Sequence, residues 1–96
     1  MGNQCEIVRA QVFVTGRVQG VGFRAFVYRQ AELQSLTGWV RNVVDGRVEL
    51  EVQGPKNVVD NFLRDVERGP TLSSVTGVEV SWVSLSQKDA SFEIKY

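Results

Sequence analysis

Trp39-Val40-Arg41-Asn42-Val43-Val44-Asp45-Gly46-Arg47-Val48-Glu49-Leu50-Glu51-Val52 lies in the middle of the 96-residue chain, and its reading decides the fold. Val48, Leu50 and Val52 alternate with Arg47, Glu49 and Glu51, the period-two pattern of a strand with one apolar and one polar face. A preceding strand runs through Trp39, Val40 and Arg41. Asp45-Gly46 between the two predicts a tight hairpin. The polar positions Arg47, Glu49 and Glu51 fit a sheet with one face in water, and they read as a solvated face rather than as an acid/base pair or a metal site.

Working outward toward the N-terminus, Phe23, Phe26, Val27, Gln30 and Ala31 recur at helical spacing and predict a helix over residues 21–33. A glycine-punctuated stretch at residues 15–22 separates it from a strand over residues 7–14. In that strand Val8, Ala10, Val12 and Val14 share one face, with Arg9 and Gln11 opposite. Working outward toward the C-terminus, Gly54-Pro55 ends the third strand and starts a helix over residues 56–68, with Val59, Phe62, Leu63 and Val66 as its apolar stripe. Gly69-Pro70 stops that helix, and Val78, Val80 and Trp82 then alternate with Glu79 and Ser81 as a fourth strand. A polar turn through Gln87-Lys88-Asp89 precedes Phe92-Glu93-Ile94-Lys95-Tyr96, read as a short edge strand.

The order is therefore β-α-β-β-α-β with one further strand. This is the split βαβ, or ferredoxin-like, α+β pattern: an antiparallel sheet with two helices on one face and a short extra C-terminal edge strand. Residues 1–96 read as a single domain, of a size that buries roughly 60–70 % of the surface its unfolded chain exposes. Such domains host enzymes, metal carriers, regulatory modules and RNA binders, so function has to come from particular residues.

Composition narrows the field. Eleven basic and eleven acidic side chains give a formal net charge of zero, so an anion site has to be local. The single cysteine, Cys5, excludes an internal disulfide and lies well before the glycine-rich loop, so it is not read as a nucleophile. Histidine is absent altogether, which removes the commonest general base at neutral pH and the commonest metal ligand. No apolar run is long enough to span a bilayer, and residues 1–6 lack the pattern of a secretory leader; the expected compartment is cytoplasmic.

Gly16-Arg17-Val18-Gln19-Gly20-Val21-Gly22-Phe23-Arg24 joins the first strand to the first helix. Its glycines let the backbone curl so that successive N–H groups point at one anion, and the helix start adds unpaired N–H groups and the positive end of a dipole. Arg24, in the first turn, could grip two oxygens of a phosphate at once. Read on their own, these residues fit either a phosphate cradle with a charged clamp or a flexible turn with a solvated arginine. Arg17 reads as a solvated loop arginine. Asn42, near the end of the second strand, carries a donor and an acceptor that do not titrate. It could orient a water or simply bond its own backbone before the turn.

Taken together, Gly-Arg-Val-Gln-Gly-Val-Gly-Phe-Arg and Gly38-Trp39-Val40-Arg41-Asn42, followed by Asp45-Gly46, Val48 and Gly54, resemble the two signatures of the acylphosphatase family. The resemblance extends to Gly69-Pro70, Val75 and the closing Phe92, Ile94 and Tyr96, with Ser73 where the family often has alanine. It implies hydrolysis of acyl phosphates to a carboxylate and inorganic phosphate by direct attack of water. Arg24 would bind the phosphoryl group, the backbone of Gln19, Gly20, Val21, Gly22, Phe23 and Arg24 would surround it, and Asn42 would position the water. No metal, cofactor or phosphoenzyme is implied. Inorganic phosphate is expected as product and competitive inhibitor, and a monomer is expected.

Three rival readings remain. An RNA-recognition module shares the element order but stacks bases on aromatics of its central strands, and residues 47–53 contain none. Neither a nucleic acid nor a membrane is expected as a partner. A phosphate-sensing module would share the cradle; a stand-alone length with no obvious partner domain, and Asn42 alongside Arg24, favour the enzyme over it. An excised module of a larger carbamoyl-transfer protein would share both signatures; the ends of the chain favour a stand-alone enzyme.

Overall fold

The computed structural model describes residues 6–96, so Cys5 lies outside the described residues. The elements are β1 (Ile7–Arg17), α1 (Phe23–Leu33), β2 (Thr37–Asn42), β3 (Val48–Pro55), α2 (Lys56–Arg68), β4 (Ser74–Val83) and β5 (Phe92–Ile94). They form one sheet in the order β4-β1-β3-β2-β5. The first four strands pair antiparallel. The fifth pairs parallel with β2, so the sheet is mixed where a wholly antiparallel one was expected. Alternation of side chains reveals that a strand exists but not its direction.

Even-numbered residues of β1 and β3 build the core: Ala10, Val12, Val14, Val48, Leu50 and Val52 are all buried. Phe23, Val27 and Ala31 of α1 and Val59, Phe62 and Val66 of α2 close over them, each set at the three- and four-residue spacing of one helix face. Burial of this kind contributes about 25 cal/mol per Å² of apolar surface and dominates the stability of the domain. In β4 the expected apolar set does face the helices, since Trp82, Val80 and Val78 pair with Ala10, Val12 and Val14. Trp82 and Val80 are nevertheless exposed, because β4 is the outer strand.

The opposite face is not simply solvated, as the charges of the third strand had suggested. Arg9 is only 4 % exposed and Glu49 only 6 %. Arg9 donates to Glu51 at 2.7 Å, to Gln53 at 3.1 Å and to Asp89 at 2.8 Å. Glu49 accepts from Gln11 and Arg41. Burial works to lower the pKa of Arg9, but its bonds to Glu51 and Asp89 and the charges of those carboxylates outweigh it, and the guanidinium is held above its ordinary value. Residues 84–91 cross this face from β4 to β5, pinned by Asp89 on Arg9 and by a reciprocal pair of bonds between Gln53 and Ser86. The charged stripe thus anchors the segment that delivers β5. No helix among the described residues is long and apolar enough to cross a membrane.

Candidate active site

β1 and β2 both run antiparallel to β3 and therefore point the same way, and β5 runs parallel to β2. The C-terminal ends of three strands consequently reach one end of the sheet. There β1 passes into the loop before α1, β2 ends at Asn42, and β5 leads to Lys95 and Tyr96. These ends surround a cleft of about 190 Å³ lined by Gly20, Gly22, Phe23, Arg24, Asn42 and Tyr96, together with Val18, Ala25 and Ile94.

The loop is held at both ends by buried side chains, Val18 and Phe23. Between them Gly20 and Gly22 take φ values of 74° and 79°, in the left-handed region that costs an L side chain roughly 1–2 kcal/mol. Among the described residues nothing lies within 4 Å of where a Cβ would project at either position. Glycine is needed there for backbone shape, and the space beside it stays open for a ligand. α1 begins at Phe23 rather than at the expected Val21, because the left-handed turn at Gly22 cannot continue a helix. No side chain caps that helix start, and no acidic residue occupies its first turn. Among the described residues, no backbone N–H from Gln19 to Ala25 has a hydrogen-bond partner. That row of donors, with the helix dipole behind it, is suited to an anion.

Arg24 supplies the matching charge. Among the described residues no carboxylate lies within ion-pair distance of it. Its guanidinium lies 4.8 Å from the centre of the Tyr96 ring and donates one bond, at 3.4 Å, to the carbonyl of Lys95. A guanidinium has five N–H donors, so most remain for a ligand. Arg17, at the other end of the loop, is exposed and does not line the cleft.

Asn42 shares a strand face with buried Val40 and so points to the helix side of the sheet, beside the start of α1. Its side-chain amide has no hydrogen-bond partner among the described residues. The bond to the turn's backbone that asparagine often makes is made by Asp45 instead, whose Oδ1 accepts from the Arg47 N–H at 3.0 Å. That N–H, and the Arg47 side chain after it, hold the Asp45 carboxyl below its ordinary value. Trp39 and Arg41 turn to the other face, as their alternation with Asn42 required; Arg41 bonds Glu49 there.

Of the residues singled out in the sequence, Gly20, Gly22, Phe23, Arg24 and Asn42 come together in the cleft, while Val21 packs against the core. The side chain of Gln19 points away from the loop to the β2–β3 connection, which no periodicity could show. Ile94 and Tyr96 stand out in the sequence as an edge strand and as part of the resemblance, not as site residues, and their place at the site follows from the parallel pairing of β5.

The sequence profile of the family described as Acylphosphatase matches residues 10–94, a span that contains the loop and Asn42. The acylphosphatase of Chlorobaculum tepidum is 45 % identical over 86 residues, which cover 90 % of this chain and 94 % of that one. The crystal structure of acylphosphatase from Bacillus subtilis matches with a TM-score of 0.89 at 40 % identity, covering 93 % of this chain and 99 % of that one. Full-length HypF, in its phosphate- and nucleotide-bound form, matches with a TM-score of 0.84 at 30 % identity, covering 95 % of this chain but 12 % of that much longer one. With the cleft, the fold and nearly the full length in agreement, the chain belongs to the acylphosphatase family.

Proposed function

We propose that this cleft hydrolyses acyl phosphates, with Arg24 and the backbone of Gln19, Gly20, Val21, Gly22, Phe23 and Arg24 holding the phosphoryl group and Asn42 positioning the attacking water. The observation that carries the reading is the convergence of three things on one 190 Å³ cleft: N–H groups, a guanidinium and an amide that, among the described residues, have respectively no hydrogen-bond partner, no carboxylate within ion-pair distance and no hydrogen-bond partner. The acyl-phosphate substrate class comes from the family.

The chemistry suits these groups. Water oxygen bonds to phosphorus as the bond from phosphorus to the acyl oxygen breaks, and the carboxylate leaves with the electron pair. One water proton stays on the new P–OH and the other passes to a phosphate oxygen of the substrate, giving dihydrogen phosphate. A carboxylate is a good leaving group, so the main requirements are alignment and stabilisation of the charge on the equatorial oxygens. Arg24 and the loop N–H groups supply the second, and Asn42 supplies the first without gaining or losing a proton. This reading does without histidine and without a metal or cofactor.

The purified protein is therefore expected to turn over benzoyl phosphate undiminished in excess chelator, with inorganic phosphate competing against the substrate. A well-folded protein that binds phosphate without turnover would instead fit a sensing module, and turnover abolished by chelator would reject the metal-free reading.

A further inference from the structure

We infer that Gln19 is a positioning residue for the hydrolysis, its side chain tying the phosphate loop to the strand end that carries Asn42. The inference rests on the roles proposed above for Arg24 and Asn42.

Gln19 Nε2 donates to the carbonyl of Val43 at 2.8 Å and to that of Arg47 at 2.9 Å, so both amide hydrogens are used. The two carbonyls stand at opposite ends of the β2–β3 connection, and Val43 directly follows Asn42. Neither carbonyl lacked a partner: Val43 O also accepts from Gly46 N at 3.0 Å, and Arg47 O from Val43 N at 2.8 Å. The side chain therefore adds a link from the loop to hairpin carbonyls that already have backbone partners of their own. Among the described residues no other hydrogen bond joins residues 18–22 to residues 42–47.

The two sides of the bridge differ in how firmly they are held otherwise. The loop is fixed by buried Val18 and Phe23, whereas Val44, Asp45 and Gly46 at the hairpin tip are exposed. The tip's own bonds, Val43 N to Arg47 O, Gly46 N to Val43 O and Arg47 to Asp45, lie within it; beyond the pairing of Asn42 with Val48, the Arg47 guanidinium, 4.3 Å from the centre of the Phe13 ring on the far face, ties it to the rest of the sheet. Cutting the bridge should therefore leave the phosphate cradle in place and let Asn42 shift. A misplacement of about 1 Å at a reacting centre can cost roughly a hundredfold in rate.

The test compares kcat and the inhibition constant for inorganic phosphate in wild type, Gln19→Met, Gln19→Glu, Asn42→Ala and the double variant Gln19→Met/Asn42→Ala, with melting midpoints as a check on folding. Methionine keeps the length and removes both donors. Glutamate keeps size and polarity, and places a carboxylate against two carbonyls. The expected result is a loss in kcat of about tenfold to a hundredfold for both Gln19 variants, phosphate inhibition within about twofold of wild type, and little further loss when Gln19→Met is added to Asn42→Ala. Wild-type kcat in a folded Gln19 variant overturns the inference alone. So does a Gln19→Met loss that recurs in full on the Asn42→Ala background, or one accompanied by an equal loss of phosphate affinity. Wild-type kcat in Asn42→Ala itself would instead remove the role of Asn42, and this inference with it.

Discussion

Arg24→Ala is expected to lower kcat/KM for benzoyl phosphate by at least a hundredfold to a thousandfold. Removing one preorganised donor from a developing charge typically costs about 2.7–4 kcal/mol, and a guanidinium brings two charged bonds to a phosphoryl group. Inhibition by inorganic phosphate should weaken in step, since the charge that arginine neutralises is already present on the ground-state dianion. Arg24→Lys should recover only part of the loss, because an ammonium is a point donor and cannot match the fork. Folding should be spared: the side chain gives up one 3.4 Å bond on the exposed surface and its contact with the Tyr96 ring. Kinetics with phosphate inhibition and a melting curve on the same preparation check all of this. An Arg24→Ala protein that still binds phosphate as wild type does would place the phosphoryl group elsewhere.

The second large effect is expected at Asn42. Its amide bonds nothing in the folded chain among the described residues, so Asn42→Ala removes no contact that the fold uses. If the amide orients the water, kcat should fall by about a hundredfold, the scale of one positioned group, while the phosphate inhibition constant stays put. The two variants thus separate two functions within one cleft. Arg24→Ala moves phosphate affinity and rate together, and Asn42→Ala moves rate alone. The reverse pattern would exchange the assigned roles.

The residues differ in how openly the sequence displays them. α2 is legible to its ends, Lys56 and Arg68, because proline and glycine bracket a strong apolar stripe. The apolar alternation of β1 stops at Val14. The strand continues to Arg17 past an irregularity at Thr15/Gly16, and glycine at a strand's end reads as a turn unless the pairing of Gly16 with Val75 and of Arg17 with Ser74 is seen. For the same reason β4 begins at Ser74, four residues before its apolar alternation does. The charged face misleads because Arg9, Glu51 and Asp89 are far apart in the chain, and only the crossing of residues 84–91 makes their side chains partners.

The site is partly legible for a related reason. Glycine, arginine and asparagine advertise chemistry through residue type, and Gly20, Gly22, Arg24 and Asn42 all line the cleft. Each is ambiguous when read alone. Gln19 shows the limit of residue type: its neighbours in the loop suggest a backbone role, whereas its side chain bonds carbonyls 24 and 28 positions away. Tyr96 reaches Arg24 only because β5 runs parallel to β2, a direction that no local pattern encodes.

Hydrolysis of benzoyl phosphate in water enriched with ¹⁸O, followed by mass analysis of both products, tests the central claim most directly. Attack on the phosphorus held in this cleft puts the label into inorganic phosphate and leaves benzoate unlabelled. Label in the benzoate would mean attack at the acyl carbon, and the roles assigned to Arg24, the loop and Asn42 would be wrong.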